Sequence, residues 1–584
     1  MFYSKYKYNK FYQGIKSNII ILKLGIATGG VYMTKLYITL EDKSSVSVDE
    51  GLRFKDFIDK YYKDEEKDIA LCKFNGEYYE LMKEIPSSGT LEKVYFNTVE
   101  GMNVYTRTLQ FIFIKAALDL FKDSKITIEH SISKGIFGEI HKEKALCYDD
   151  IIKIKENMKN IIEKDIPINK IKVSRKKAID IFKNYKMDDK VKLLESVDFE
   201  NVNLYELEGR YDYFYGEMAY STGVIKAWDL MFYEPGFILR RPTEDNLNSL
   251  PPYKEQKRLS NIFYETEKWL SILDVGEVGS LNEKILYNGL KDLILVSEAL
   301  HEKKIAEIAD RISDKSGVKM VLIAGPSSSG KTTFANRLSI QLRVNGFMPV
   351  PLSIDDYFVN REDSPRDENG DYDFESIYSV DLKTLNEHLE RLLNGEEVEI
   401  PTYNFKKGKR EWCGHKVKLP QNGILVLEGI HALNPVLTQS IGNEYKHKVY
   451  ISALTQLNLD NHNRIPTTDV RKIRRIVRDF LSRGYGGEET LMMWPSIKNG
   501  EKKNIFIYQE EADDMFNSTL VYELSVLKPY ALNELKKITK ESSVYNEAQR
   551  LISLLNFFKE VAIDKVPENS ILREFIGGSC FYKY

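Results

Sequence analysis

Residues 325–332 read Gly-Pro-Ser-Ser-Ser-Gly-Lys-Thr and fit G-x-x-x-x-G-K-[ST] without a mismatch. Glycines let such a backbone curl with its N–H groups pointing inward at a phosphate. The lysine reaches β- and γ-phosphate oxygens, and the last hydroxyl ligates Mg²⁺. The candidate nucleotide-binding residues are therefore Gly325, Pro326, Ser327, Ser328, Ser329, Gly330, Lys331, Thr332 and the adjoining Thr333. Two further carboxylates stand where they could act on the same phosphate. Asp355 follows the apolar run 348–354 and could take a proton from an attacking hydroxyl, although Asp355 or Asp356 could equally cap the next segment. Glu428 follows the apolar run 423–427 and could support the metal's ligand shell.

These groups need a rigid frame. Residues 319–324 form a short apolar run, as a strand buried on both faces requires. The pattern after the motif predicts a helix over 333–344, whose N-terminal dipole favours an anion. Strands are expected at 348–354 and 423–427, and the alternation of strand and helix points to a parallel α/β sheet. Upstream, residues 250–316 read as a helical connector, with apolar positions at helix spacing over 281–300.

In order and spacing, GPSSSGKT, SIDDYF, PTYNF, LEGIH and RRIVRDFLSRG resemble the uridine kinase and phosphoribulokinase family over about residues 318–535. The resemblance implies ATP and Mg²⁺ as cofactors and a small hydroxyl substrate. Carried over position by position, it makes Asp355 the base for a 5′-hydroxyl, with Lys331 beside it. Thr332 and Glu428 fall at the metal, and Arg475, Arg478 and Arg483 on a phosphate-gripping lid. Tyr357, Glu375, Tyr403 and Arg410 fall at the substrate. The sequence departs from the family at two places. The base-reading histidine falls on Gly408 and a further lid arginine on Tyr485, which leaves the preferred acceptor open. The expected reaction is phosphorylation of a nucleoside to its monophosphate. A phosphoribulokinase-like sugar kinase and an RNA-linked, ATP-gated sensor stand as alternatives.

The front of the chain differs in character. Alternation over 36–40 and 46–48, helical spacing over 52–62 and the hairpin signal Asn75-Gly76 describe a small α+β unit. It resembles the ubiquitin-like TGS domain of threonyl-tRNA synthetases. Residues 102–121 read as a helix, and 211–242 are dense in aromatics; this stretch resembles the second, editing-type domain of such synthetases. Glu129 and His130 are its sharpest chemical feature, but the position four after His130 is Lys134, and no C-x-x-x-H appears before Pro242. A satisfied structural histidine is the expectation. The aromatics at 211–220 read as core and hairpin before they read as a base-stacking platform. The expected fold is thus multidomain, in five parts: an extension at 1–32, a TGS-like α+β domain at 33–98 and a synthetase-like α+β domain at 99–249. The connector at 250–316 then leads into a P-loop α/β kinase domain with a parallel sheet at 317–584. Even the tail, SILREFIGGSCF, resembles bacterial fusion proteins of this layout.

Composition narrows the remaining classes. A net charge of -3 carries no polyanion signal, and four separated cysteines (Cys72, Cys147, Cys413, Cys580) form neither a C-x-x-C pair nor a disulfide framework. They fit a reducing, cytoplasmic location. The apolar stretch 19–27 is short and interrupted by Lys23, so it reads as an upstream-extended start before Met33 or as a signal peptide, and no membrane partner is expected. RNA or tRNA contact by the N-terminal half and a homo-oligomeric state stay open.

Overall fold

The computed structural model describes residues 35–65, 68–366, 370, 372–455 and 457–582; the extension 1–32 and its apolar stretch lie outside them. The chain begins with β1 (Lys35–Thr39), β2 (Ser45–Asp49), α1 (Phe54–Tyr61), β3 (Ile69–Phe74), β4 (Glu77–Tyr79) and β5 (Gly89–Tyr95). They form one sheet in the order β2-β1-β5-β3-β4, with α1 packed on it through Phe54, Phe57 and Ile58. Asn75 and Gly76 turn β3 into β4 with φ of 49° and 85°, a left-handed pair that suits these two residue types.

Next come α2 (Val99–Leu120), β6 (Lys125–Ile132), β7 (Gly135–His141), α3 (Tyr148–Glu163), β8 (Asn169–Ser174), α4 (Arg175–Asn184), α5 (Asp188–Glu195), β9 (Asn201–Leu207), β10 (Arg210–Asp212), β11 (Asp229–Tyr233) and β12 (Gly236–Arg240). Thr98 caps α2 by accepting from the Gly101 N–H at 3.1 Å. Two sheets result, β11-β12-β7-β6 and β10-β9-β8. Three helices follow: α6 (Lys257–Leu273), α7 (Val278–Leu286) and α8 (Leu290–Asp314). The helical spacing over 281–300 is therefore broken near Asn288, which has φ of 66°.

The remaining sheet is built from β13 (Met320–Ala324), β14 (Met348–Ser353), β19 (Gly423–Glu428), β20 (Lys446–Ser452) and β23 (Asp514–Asn517). Its order is β14-β19-β13-β20-β23, and every pairing is parallel. Helix α9 (Lys331–Val344) follows β13, and α10 (Leu382–Leu393) follows β14. The short ribbons β15 (Glu397–Glu399) with β18 (Lys416–Lys418), and β16 (Thr402–Asn404) with β17 (Lys409–Glu411), precede β19. Both faces of β13 are covered: Val321 and Ile323 join the core with α8 and α9, whereas Met320, Leu322 and Ala324 join the core with α6 and α10. The helices before the motif thus belong to the sandwich of the parallel sheet.

Between β20 and β23 the chain leaves the sheet. A hairpin of β21 (Asn458–Asp460) and β22 (Asn463–Arg464) reaches into the α2–β12 region, and α11 (Thr467–Arg478) starts directly after it. Lys190 sits between two aspartates there, 3.1 Å from Asp212 and 2.8 Å from Asp460, and His462 Nδ1 lies 2.7 Å from Asp212. All four residues are buried. Backbone bonds seal the junction, with Ile128 N–H donating to the Asn461 carbonyl at 2.8 Å. After α11 come α12 (Gly487–Asn504), α13 (Glu523–Leu535), α14 (Tyr545–Leu555) and the short turn α15 (Arg573–Ile576). No helix among the described residues is long and apolar enough to cross a membrane.

Removing Lys190 would leave Asp212 and Asp460 buried without their cation. Lys190→Ala should cost about 3–5 kcal/mol, read as a lowered urea midpoint, and an unchanged midpoint would show that the junction is not held by this charge.

Candidate functional site

The motif loop leaves β13 at Gly325, where a Cβ would lie 2.1 Å from the Ile451 carbonyl oxygen of β20; only glycine fits. It re-enters a helix at Gly330, whose φ of 88° is left-handed, and Lys331 opens α9. Ser328 also has positive φ, at 60°. Left-handed φ at both positions suits a backbone that curls around a phosphate. The Lys331 ammonium folds back to the Pro326 carbonyl at 3.4 Å.

Parallel register carries the two carboxylates to the same edge. Glu428 ends β19 level with Ile323 of β13 and Ser353 of β14. Thr332 Oγ1 donates to Glu428 Oε1 at 3.3 Å and Ser353 Oγ donates to the same oxygen at 3.2 Å. Burial and the nearby Asp355 raise the Glu428 carboxyl from 4.5 to about 7, with Lys331 pulling the other way. A hydroxyl and a carboxylate, both hard oxygen donors, fit a Mg²⁺ ion that also takes phosphate oxygens. The resemblance singled out Asp355, with a capping role for Asp355 or Asp356 as the alternative. Asp356 is committed to the frame, its carboxylate accepting from the Tyr403 N–H at 3.0 Å, and burial raises its pKa. Asp355 is half-buried, and its carboxylate accepts no hydrogen bond from a described residue.

The arginines converge through a residue the sequence reading missed. Asp479, at the end of α11, lies 3.0 Å from Arg475, 2.8 Å from Arg478 and 3.8 Å from Arg483. Residues Asp479–Arg483 form a π-helical turn, which brings Arg483 to the same carboxylate. Burial would raise the Asp479 pKa, but the three guanidinium groups outweigh it and hold it below its usual range. Repulsion from Arg478, with burial, brings Arg483 down to about 10. Arg475 also donates to Ser327 Oγ at 2.7 Å. Two unforeseen neighbours brace the loop from below: Arg471 donates to the Ser327 carbonyl at 3.0 Å, and Arg474 to the Ser328 carbonyl at 3.3 Å. Their spacing of three along α11 was the available signal.

The expected substrate residues separate into two groups. Glu375 is half-buried against α12, where a Cβ on Gly500 would come within 2.2 Å of its own Cβ. Burial and Glu501 raise its carboxyl to about 7, opposed by Arg475 and Lys331. Tyr403 packs against Phe358 and Phe405, and the Arg483 guanidinium lies 5.0 Å above the Phe405 ring. Tyr357, expected to line the pocket, is instead fully buried, with its hydroxyl 3.0 Å from His388 Nδ1. Arg410, expected to meet substrate, is paired with Asp381 at 2.8 Å, the cap of α10. At Gly408, φ is 65°, and a Cβ would come within 2.9 Å of Arg361 Nε, so an arginine fills the space a side chain there would take. Tyr485, on the other departure, is 36% exposed and stays at the rim.

Residues 320–521 match the model of the Phosphoribulokinase / Uridine kinase family. This stretch is a kinase domain of that family. A possible uridine kinase from Bacillus stearothermophilus overlaps 37% of the present chain and all of its own, at 21% identity and a TM-score of 0.25. A D-glycerate 3-kinase from Cryptococcus neoformans overlaps 45% and 89%, at 14% identity and a TM-score of 0.20. The N-terminal part is similar to threonine--tRNA ligases: 31% identical over 166 residues to that of Oceanobacillus iheyensis, and 28% over 203 residues to that of Caldanaerobacter subterraneus. The first match covers 28% of this chain and 26% of the ligase, the second 35% and 32%, so the chain spans about a third or less of these relatives. In the N-terminal part, His130 stacks on Phe263 with ring centroids 3.7 Å apart. Burial lowers its pKa to about 3. No cluster of three or more His, Cys, Asp or Glu able to hold a metal occurs among the described residues.

Because Glu428 and Glu375 hold their protons up to about pH 7 rather than 4.5, the folded chain binds more protons than the unfolded one across that window. Stability contributed by these groups is full below pH 4.5 and falls as the pH rises to 7. Glu428→Gln should therefore stabilise the nucleotide-free protein by about 1–3 kcal/mol above neutrality and change little in acid. Equal melting of variant and wild type at both ends of the range would contradict the buried placement of this carboxyl.

Proposed function

We propose that the chain is an ATP-dependent nucleoside kinase that transfers the γ-phosphoryl group of ATP to a 5′-hydroxyl, giving a nucleoside monophosphate and ADP. One observation carries this reading: the motif loop, Glu428 and Asp355 sit at the same ends of three adjacent parallel strands, β13, β19 and β14. In this reading the acceptor oxygen attacks the γ-phosphorus, the bond to the bridging oxygen of ADP breaks, and Asp355 takes the hydroxyl proton. Lys331 and the Asp479-tethered arginines oppose the charge that develops on the phosphoryl oxygens. Thr332 and Glu428 would hold Mg²⁺, which supplies further charge neutralisation at the phosphates. Glu375 would hold ribose hydroxyls and Tyr403 would stack on the base, while Tyr357 and Arg410 stiffen the wall behind them.

A sugar or sugar-phosphate acceptor is the second reading. Arg361 beside Gly408 favours it, because a guanidinium there suits an anionic acceptor better than a neutral base. The domain division follows from the same proposal: TGS-like over 33–98, synthetase-like over 99–249, helical over 250–316 and kinase over 317–584. The likeness of the N-terminal part to threonine--tRNA ligases supports the first two and keeps an RNA partner in view.

The test is a panel of nucleosides and ribose phosphates with MgATP, followed by product analysis. Asp355→Asn should lower turnover about 10²–10⁴-fold with little change in nucleotide affinity. Equal turnover by wild type and Asp355→Asn would remove the aspartate from its role. Phosphorylation of a ribose phosphate but no nucleoside would select the second reading.

A further inference from the structure

One amide of the motif loop and one in the first turn of the helix that follows it are already answered by protein carboxylates. Ser327 N–H donates to Glu501 Oε1 at 3.0 Å. Thr333 N–H, in the first turn of α9, donates to Glu574 Oε2 at 3.0 Å. First-turn amides have no partner within their own helix and are anion ligands; in a loop of this kind they take phosphate oxygens. The two carboxylates are not equivalent. Glu501 is paired with Arg471 and belongs to α12. Glu574 has no Lys or Arg partner within ion-pair distance among the described residues, although it is only 7% exposed. A buried carboxylate with no cation is costly unless amides hold it. Here it sits where an anionic ligand of the loop would sit.

Glu574 belongs to a C-terminal segment that returns over the loop. Ile571 Cγ2 lies 2.6 Å from where a Cβ on Gly330 would be, and Phe575 lies beneath the Arg474 guanidinium at 4.9 Å. Further on, the Tyr582 hydroxyl is 2.6 Å from Thr333 Oγ1, so the N–H and the hydroxyl of Thr333 are each engaged by the tail. Between the anchored Phe575 and Tyr582 come Gly577 and Gly578, with φ of 78° and 69°. Two glycines at left-handed φ let the end of the tail redirect without pulling Phe575 from the core.

We infer that the C-terminal segment 570–582 is a strap that occupies the helix end of the phosphate cradle in the nucleotide-free protein and gates nucleotide entry. This rests on the reading of the loop as a nucleotide site. A phosphate and the Glu574 carboxylate compete for one amide, and like charges at that spacing repel. Nucleotide binding then requires Glu574 to swing away and Tyr582 to release Thr333, so affinity is set partly by the strap.

The experiment measures MgATP binding by calorimetry to the full chain, to Glu574→Gln and to Tyr582→Phe, with hydrogen exchange of residues 567–582 in the unaltered chain. Glutamine keeps the shape and the acceptor but removes the charge. Glu574→Gln should bind MgATP about tenfold more tightly. Tyr582→Phe should bind about two- to threefold more tightly, the scale of one neutral hydrogen bond. Exchange across 567–582 should rise when MgATP is added. Unchanged or weaker binding by Glu574→Gln, or exchange that stays flat or slows with MgATP, would overturn the strap while leaving the loop a nucleotide site. The exchange reading stands even where a variant fails to fold. Absence of MgATP binding by all three proteins would overturn both the strap and the reading on which it rests.

Discussion

The close approach of Gly325 to the Ile451 carbonyl governs the site. Because β13 and β20 run parallel and in register, the loop must leave β13 against the backbone of its neighbour, and only a residue without a side chain clears that oxygen. The same parallel register brings β19 and β14 to end at one level, so that Ser353 and Glu428 stand beside each other under Thr332. No long-range flexibility is needed to assemble the chemistry, because the strand ends deliver it. This is the general logic of open parallel sheets, which place their ligands beyond the carboxyl ends of the strands.

The electrostatics are costly until a ligand arrives. Asp355, Glu428, Glu375 and Glu501 crowd one region, and burial first, then these neighbouring carboxylates, raise the pKa values of Glu428 and Glu375. Against them stand Lys331 and an arginine group whose geometry is set by the single buried carboxylate Asp479. Arg471 and Arg474 spend themselves on loop carbonyls and on Glu501 and Glu523, so they stiffen the cradle from behind. Helix α11, with the π-helical turn that continues it to Arg483, carries the guanidinium groups on both sides of this division. It begins just after the hairpin whose Asp460 and His462 are gripped by Lys190 and Asp212, so the N-terminal half of the chain holds the base of the element that reaches the motif loop.

Local chemistry was legible in the sequence. The motif loop, the strands on either side of it and the Asn75-Gly76 turn each rest on a few neighbouring residues whose types allow one backbone path. Glu428 was legible because an acid after a fully apolar run has one place to go in a buried strand. What the sequence hid depends on contacts across hundreds of residues. Nothing near Asp460 indicates that Lys190 lies against it, and nothing near Thr333 indicates Glu574. Asp355 and Asp356 are chemically identical neighbours; family position singled out the first, and the Tyr403 amide that Asp356 accepts could not be read from the sequence. Tyr357 and Arg410 were read as substrate contacts because family position carries no information on whether a hydroxyl or guanidinium is already used; His388 and Asp381 use them. The helix signal over 281–300 hid its break because Asn288 is compatible with either conformation until packing decides.

The most direct test is a crystal structure of the protein with ADP, Mg²⁺ and a phosphorylatable alcohol. The account predicts the diphosphate inside the loop 325–330, the metal between Thr332 and Glu428, and the alcohol oxygen within hydrogen-bond reach of Asp355. A diphosphate bound elsewhere, or an alcohol held on a face of the sheet away from Asp355, would contradict it.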